Sequence, residues 1–185
     1  MFLKFLFLSL FSIASFAHSA EATEINPNVK DPENTLVLTL KDGKVLIEMH
    51  PDLAPNHVAR IKELVRKGFY DGLKFHRVID GFMAQTGDPQ GTGSGGSGKK
   101  LKAEFSNRPH KRGTVSMARA GDPNSADSQF FICFADSPWL DNQYTVWGEV
   151  IEGMEFVDRI KKGSGSGGTV SNPDKIISIK VASDL

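Results

Sequence analysis

The sequence predicts a mostly β protein, a closed eight-stranded antiparallel β-barrel capped by two α-helices. About eight short apolar stretches of strand-like composition are separated by Gly, Pro, Asp and Asn residues that favour turns. Two further stretches carry apolar residues at helical spacing. Because all of these elements lie within residues 35–185, closing the sheet into a barrel is an economical way to remove exposed strand edges, with the helices covering its ends.

The first elements are a hairpin and a helix. Residues 35–40 (TLVLTL) and 44–50 (KVLIEMH) are apolar stretches joined by an Asp-Gly turn, which is typical of a β-hairpin. Residues 54–69 follow with one apolar stripe and with Pro55 near the first turn, where a missing N–H costs little. This stretch predicts a helix with one buried face.

Strands dominate the rest of the chain. The predicted strands are residues 73–79, 82–87, 113–119, 129–134 and 145–151. A second short helix is expected over residues 152–162, where Met154, Val157 and Ile160 are spaced for burial. A Gly/Ser-rich loop then leads to a last strand within KIISIKVA, residues 175–182.

The first twenty residues have the composition of a secretory signal peptide. Lys4 precedes an apolar stretch that is too short to span a bilayer, and small residues follow it. Cleavage is expected somewhere in residues 17–22, with residues 21–34 as a flexible lead-in to the domain at 35–185. An uncleaved membrane anchor is the alternative. Without a retention sequence at the carboxyl end, export to a bacterial periplasm is the expected localisation.

Composition limits the partners. The chain carries 22 basic and 22 acidic residues, which argues against nucleic acid or an anionic membrane as a partner, since both select clustered Lys and Arg. The single cysteine, Cys133, cannot form an internal disulfide, and its apolar neighbours indicate a buried thiol. No segment suggests oligomerisation, so we expect a monomer.

Two local patterns resemble functional motifs and are rejected. Residues 93–100 (GSGGSGKK) nearly match a phosphate-binding loop, but Lys100 stands where Ser or Thr should hold magnesium, and no helix-periodic segment follows. A flexible glycine loop is expected instead. The histidines lack metal-ligand spacing and no hydrolase elbow occurs, so we predict no metal, although Ser, His and Asp could still converge in space.

Arg77 stands out within residues 75–88 (FHRVIDGFMAQTGD). Charged side chains are almost never fully buried unless they are paired, yet Arg77 lies among Phe75, Val78 and Ile79. The residues alone leave two interpretations open: an arginine that faces solvent on an edge strand, or a cation that lines a functional cavity.

Several segments carry a family resemblance. They read FHRVIDGFM, QTGD, GTGSGG, SQFFIC, WLD and GEVIEGMEFVDRI. In this order they resemble the cyclophilins, a family of peptidyl-prolyl cis-trans isomerases, over essentially the whole mature chain. The resemblance implies a barrel with its active groove on one outer face and an enzyme without cofactor. It implies proline-containing peptides and unfolded exported proteins as partners.

The resemblance also implies a role for each matching position. Arg77 would be the catalytic residue. The proline pocket would be formed by Phe82, Met83, Phe131 and Leu140. The residues expected to bind the substrate chain, support the site or flank the groove are Gln85, Ala118, Arg119, Ala120, Gln129 and Trp139. Taken singly, the apolar residues among them would be interpreted as ordinary core.

Three positions depart from the pattern of the eukaryotic members. Tyr144 stands where a pocket histidine is usual, Arg119 where asparagine is usual, and Thr86 where glycine is usual. We expect activity to survive, with Arg119 altering substrate preference, whereas Trp139 favours cyclosporin as a ligand. The functional alternative is a non-catalytic module that holds proline segments without isomerising them.

Overall fold

The computed structural model describes residues 29–185, so the expected signal peptide and the first part of the lead-in lie outside the described residues. The strands are β1 Thr35–Leu40, β2 Gly43–Met49, β3 Arg77–Ile79, β4 Met83–Thr86, β5 Thr114–Met117, β6 Phe130–Cys133, β7 Val146–Glu152 and β8 Ser178–Val181. The helices are α1 Pro55–Arg66 and α2 Met154–Asp158. No helix in this part of the chain is long and apolar enough to cross a membrane.

The eight strands form one antiparallel sheet in the order β3-β4-β6-β5-β7-β2-β1-β8. This confirms the predicted mostly β architecture with two helices. The second helix is shorter than expected. After Asp158 the backbone makes i→i+3 hydrogen bonds, Arg159 N–H to Phe156 O and Ile160 N–H to Val157 O, which tighten the chain out of the α conformation.

The regular ladder is open between its edge strands β3 and β8, and the segment before β8 bridges the gap. Val78 donates to Gly168 O and Val170 donates to His76 O on the β3 side. Further along, Phe75 donates to Asp174 O, and the chain then enters β8, which pairs with β1. Closure therefore comes from an irregular segment, and the backbone groups at the sheet edge still find partners.

Strand alternation separates two apolar clusters. In β6, Phe130 and Ile132 belong to the large central core, whereas Phe131 and Cys133 belong to a smaller cluster on the opposite face. This follows from the period of two, which sends successive side chains to opposite faces of a sheet. The central core also receives Trp147, which is fully buried and makes an edge-to-face contact with Phe130 at 5.5 Å.

Helix α1 has no capping side chain at its N-cap position, and Glu104, from a distant loop, caps it instead. Its N-cap is Ala54, which has no side-chain oxygen. Glu104 instead accepts hydrogen bonds from the backbone N–H groups of Asn56 and His57, at 3.1 and 3.0 Å, and from both of their side chains. A carboxylate at this position satisfies free N–H groups and complements the helix dipole.

We expect Glu104→Ala to lower the free energy of unfolding by about 1–2 kcal/mol, because α1 loses the acceptor of its first N–H groups. Urea unfolding of both proteins measures the change. Glu48→Ala is the matched control, since Glu48 is exposed on β2, and its effect should stay within about 0.5 kcal/mol. Equal effects of the two substitutions would show that capping of α1 by Glu104 contributes nothing to the free energy of unfolding.

Candidate active site

The smaller apolar cluster lies on the face of the sheet opposite the central core. Its buried members are Met83 on β4, Phe131 and Cys133 on β6, and Leu140, with Ile79, Phe82, Ala118 and Tyr144 packed against them at the rim. Antiparallel pairing places Met83 opposite Cys133. The cluster is an apolar surface that can receive a small hydrophobic ring.

Arg77 lies beside this cluster, on the edge strand β3. Its Nε donates to Gly167 O at 3.1 Å and its Nη1 donates to Gln85 Oε1 at 3.1 Å, 4.0 Å from the sulfur of Met83. Nη2 makes no hydrogen bond to any residue from 29 to 185. The guanidinium is therefore held in orientation by two partners, while part of its donor capacity stays available.

A chain of amides extends from Arg77 across the sheet. Gln85 stands opposite Arg77 in the β3–β4 pair, and its Nε2 donates to Gln129 Oε1 at 2.9 Å. Gln129 in turn donates to Gly93 O and Gly95 O, at 3.0 and 2.8 Å. These contacts fix the orientation of each amide, and the second Nε2 hydrogen of Gln85 has no hydrogen-bond acceptor among residues 29–185.

Aromatic side chains and one cation form the rim. Phe82 and Trp139 contact each other with ring centroids 5.5 Å apart, and Trp139 is 58% exposed. Tyr144 meets Phe131 edge to face at 5.9 Å. Arg119 covers the Tyr144 ring at 4.6 Å, a cation–π contact that limits the freedom of both side chains.

The glycine-rich loop is ordered around two carboxylates of the chain itself. Asp88 accepts from the backbone N–H groups of Gln90, Thr92 and Gly93, and Asp127 accepts from Ser97 and Gly98. Burial alone would raise the pKa of Asp88, but these backbone donors hold that pKa at about 2. The loop approaches so closely that a Cβ on Gly95 would lie 2.0 Å from Asp88 Oδ1. The backbone donors of Thr92, Gly93, Ser97 and Gly98 are therefore occupied within the chain itself.

A serine, a histidine and an aspartate converge beneath the cluster. His110 Nδ1 lies 2.9 Å from Asp141 Oδ1, and His110 Nε2 lies 3.0 Å from Ser116 Oγ. The distances are those of a hydrolase triad, but Ser116 has no exposed surface and stands opposite Phe131 in the β5–β6 pair. A nucleophile that no substrate can reach does not hydrolyse, so the group is a support for the Phe131 ring, which stacks on His110 at 6.3 Å.

Residues 35–181 match the family described as cyclophilin type peptidyl-prolyl cis-trans isomerase/CLD. The chain belongs to the cyclophilin family. A relative from Brucella suis, described as a probable peptidyl-prolyl cis-trans isomerase, is 52% identical over 189 residues and covers 95% of this chain and 96% of its own length. Peptidyl-prolyl cis-trans isomerase B from Bacillus subtilis is 46% identical over 127 residues, covering 67% of this chain and 88% of its own.

Solved cyclophilin structures share the fold. A cyclophilin from Hirschia baltica superposes with a TM-score of 0.75 at 32% identity, covering 84% of this chain and 76% of its own. A cyclophilin type isomerase from Cryptosporidium parvum, crystallised in the presence of the dipeptide Ala-Pro, gives 0.73 at 29% identity and covers 80% and 98%. The architecture of this chain is therefore that of the cyclophilins.

The structure brings the residues expected from the cyclophilin resemblance into one surface. Gln85, Ala118, Arg119, Ala120 and Gln129 line one polar pocket, and the remaining expected residues belong to the apolar cluster, its rim or the Arg77 contacts. Sequence reasoning missed the carbonyl of Gly167, which comes from the distant bridging segment and leaves no local signal.

Sequence reasoning also missed His110, Ser116 and Asp141. Strand alternation does offer a partial signal for Ser116, since Val115 and Met117 on either side of it are core residues. Cys133, expected to be a buried hydrophobe, is fully buried, and burial raises the pKa of its thiol to about 12. Among residues 29–185 no group of three or more His, Cys, Asp or Glu side chains is placed to hold a metal.

We expect stability to fall as the pH drops from about 7 toward 5. Burial lowers the pKa of His110, against the opposing pull of Asp141, and burial also lowers the pKa of His76. At pH values between the lowered pKa of the folded state and the ordinary value near 6.5, the unfolded chain binds more protons than the folded chain does. Lowering the pH through this range therefore stabilises the unfolded state relative to the folded state. The carboxylates lose their contribution only at lower pH.

Proton NMR titration of the histidine rings, assigned with His→Gln variants, measures the two pKa values directly. Urea unfolding at pH 7.5, 6.5 and 5.5 measures the accompanying loss of stability. Titration midpoints at or above about 6.5 for both rings would contradict the expectation.

Proposed function

We propose that Arg77 carries the catalysis and that the reaction assists the folding of exported proteins. The chain itself is a peptidyl-prolyl cis-trans isomerase of the cyclophilin family. Rotation about the peptide bond breaks amide resonance, against a barrier of about 18–20 kcal/mol, and is slow without a catalyst. In the twisted transition state the prolyl nitrogen becomes pyramidal and regains a lone pair. A guanidinium N–H directed at that lone pair binds the transition state better than the planar substrate.

The observation that carries this proposal is the double anchoring of Arg77 beside the apolar cluster. Its contacts with Gly167 and Gln85 hold the guanidinium before the substrate arrives, so little reorganisation is needed during the reaction. A 10⁵-fold acceleration requires about 7 kcal/mol, and one such charge-assisted donor supplies about 3–4 kcal/mol. No proton transfer or covalent intermediate is involved.

The rest of the stabilisation is proposed to come from holding the two sides of the bond. The proline ring packs against Phe82, Met83, Phe131 and Leu140. On the other side, the free Nε2 hydrogen of Gln85 donates to a substrate carbonyl, and the backbone at residues 118–120 binds the extended chain. Fixing both sides turns rotation into a motion within a bound complex and lowers its entropic cost.

The three departures from the eukaryotic pattern fit this mechanism. Thr86 is fully buried and donates to Lys74 O at 2.9 Å, so it supports the backbone and does not touch the pocket. Arg119 donates to the carbonyls of Gln143 and Ala120, which ties it to the rim over Tyr144. Its positive charge beside the groove acts on substrate preference, and the Arg77 contacts stay intact.

We expect Arg77→Ala to lower kcat/KM by about 10²–10³-fold while the fold is retained, because the donor to the prolyl nitrogen is lost. Exchange NMR of an Ala-Pro peptide measures cis-trans interconversion directly. Arg77→Lys should recover only part of the activity, since an ammonium cannot keep both anchoring contacts. Arg159→Ala, an exposed arginine that follows α2, is the matched control and should leave exchange unchanged.

The same experiment tests the non-catalytic alternative. If the wild-type protein binds the peptide, seen as shifted peptide resonances, without accelerating exchange, the groove is a recognition site only. If Arg77→Ala exchanges the peptide as fast as wild type, Arg77 is not the catalytic residue.

We also propose that the protein acts after export, in a bacterial periplasm. The supporting observation is the composition of the first twenty residues, with Lys4 before an apolar stretch and small residues after it. Slow Xaa-Pro isomerisation limits the folding of many chains, so an exported isomerase has unfolded exported proteins as natural clients. We propose that it acts as a monomer, and the supporting observation is that the groove is formed by residues of one chain.

Cyclosporin is a further proposed ligand, and Trp139 is the residue that favours it. We expect the drug to inhibit peptide exchange and to change the fluorescence of Trp139, which is 58% exposed, whereas the other tryptophan, Trp147, is fully buried and reports little. Trp139→Phe should lose the signal and bind about 10-fold more weakly. Undiminished exchange in a large excess of the drug would contradict this expectation.

A further inference from the structure

A second groove, here called the basic groove, lies outside the active site, between α1 and residues 99–102. It encloses about 360 Å³. Its lining residues are Asn56, Ala59, Arg60 and Glu63 from the helix and Lys99, Lys100, Leu101 and Lys102 from the loop. None of these side chains takes part in the mechanism proposed above.

The groove concentrates positive charge in a chain that is neutral overall. Four of its lining residues are cationic and one, Glu63, is acidic. Glu63 is already engaged, since Lys67 donates to its Oε1 at 2.6 Å and Arg60 to its Oε2 at 2.7 Å, and these contacts hold its pKa at about 2. Lys99, Lys100 and Lys102 are exposed. A cleft lined by one sign of charge attracts the opposite sign.

Arg60 is an unusual member of the groove because it is buried. It is 9% exposed, and its Nη1 and Nη2 donate to Glu63 and to Ser97 Oγ. Its Nε is buried and has no hydrogen-bond partner among residues 29–185. An unpaired buried donor costs stability, so Arg60 brings to the groove a cation whose hydrogen-bonding capacity is only partly used.

The basic groove adjoins the polar pocket of the active site. Lys100 lines both the basic groove and the polar pocket formed by Gln85, Ala118, Arg119 and Gln129. Asp127 also lines that pocket, but its oxygens accept from Ser97 and Gly98. The two pockets therefore meet at Lys100, so a polypeptide bound in the polar pocket lies beside the basic groove.

The available donors favour carboxylates spread along a chain over a compact phosphate. The backbone N–H groups of Asn56 and His57 at the start of α1 donate to Glu104, and those of Gly93 and Gly98 in the glycine loop donate to Asp88 and Asp127. Apart from the buried guanidinium of Arg60, what remains are ammonium groups on long flexible side chains, which act as separate point charges and do not form a cradle.

We propose that the basic groove binds an acidic stretch of the same polypeptide whose proline occupies the active site. The inference rests on the proposed isomerase function and adds a substrate class to it: client segments in which Asp or Glu residues lie several positions away from the proline. Charge would then select among clients, while Arg77 and the apolar cluster act on the Xaa-Pro bond itself.

Peptide pairs test the proposal by exchange NMR at low and high salt. Each peptide has one Ala-Pro bond and four Glu residues on its amino or its carboxyl side, and a neutral partner carries Gln at the same positions. With the Glu residues on one of the two sides of the proline, we expect the acidic peptide to bind about 5–10-fold more tightly than its neutral partner at low salt. The acidic-to-neutral affinity ratio should fall toward one at high salt.

Lysine variants test whether the preference for the acidic peptide arises in the basic groove. In Lys99→Gln/Lys102→Gln the acidic-to-neutral affinity ratio should fall to about one, whereas Lys111→Gln/Lys175→Gln, with the same change of charge at exposed positions outside the groove, should keep the wild-type ratio. Equal losses in both double variants would mean that general electrostatics, and not the groove, attract the acidic peptide, and the proposal would be wrong.

Two further outcomes separate the possible failures. If wild-type protein accelerates neither peptide, the isomerase function itself fails. If it accelerates the neutral peptide normally but shows no preference for the acidic one, only the groove proposal fails. A single-stranded RNA that binds more tightly than the acidic peptide, and loses that binding in Lys99→Gln/Lys102→Gln, would overturn the assignment of an acidic polypeptide.

Discussion

The register of three neighbouring strands determines the geometry of the active site. Arg77 stands opposite Gln85 in the β3–β4 pair, and Gln85 stands opposite Phe131 in the β4–β6 pair. A shift of one residue in either pair would turn these side chains into the core and bring core residues to the outer face. The core face of the same strands, with Ala84, Phe130 and Ile132 in the central cluster, makes such a shift costly. Packing inside the barrel therefore holds the arrangement of Arg77, Gln85 and Phe131 on its outer face.

Buried and half-buried carboxylates order the loops by accepting hydrogen bonds from backbone N–H groups. Asp88 and Asp127 order the glycine loop, and Gln129 donates to carbonyls of that loop. Glu104 serves α1 in the same way. Backbone N–H groups that would otherwise need water or an anion are satisfied within the chain, which is how long irregular segments become ordered without regular structure. Gln85 donates to Gln129, which donates to the carbonyl of Gly93, and the N–H group of Gly93 donates to Asp88. The orientation of Gln85 therefore depends on the loop that Asp88 orders.

Local patterns were enough to predict the order of the strands and α1, because alternation and the apolar stripe reflect which face is buried, but β3 was expected over residues 73–79 and spans only Arg77–Ile79. The extent of α2 was not predictable in this way, since its end depends on a switch to i→i+3 bonds within a stretch whose apolar spacing continues. The apolar pocket residues came from the family resemblance, as periodicity alone cannot distinguish Met83 or Phe131 from core. Gly167 and the group around His110 depend on contacts between distant segments, for which a single sequence carries little signal.

The triad-like group shows why geometry alone does not define an activity. His110 lies at hydrogen-bonding distance from both Ser116 and Asp141, yet the serine hydroxyl donates its single hydrogen to Thr145 O at 2.9 Å and has no access to solvent. Buried polar groups need hydrogen-bond partners, and these three side chains provide partners for one another beneath the Phe131 ring. The result is a rigid floor under Phe131. In the proposed mechanism such a floor is useful, because the proline ring must stay fixed on Phe131 while the rest of the bond turns, and a reactive nucleophile there would serve no step of the rotation.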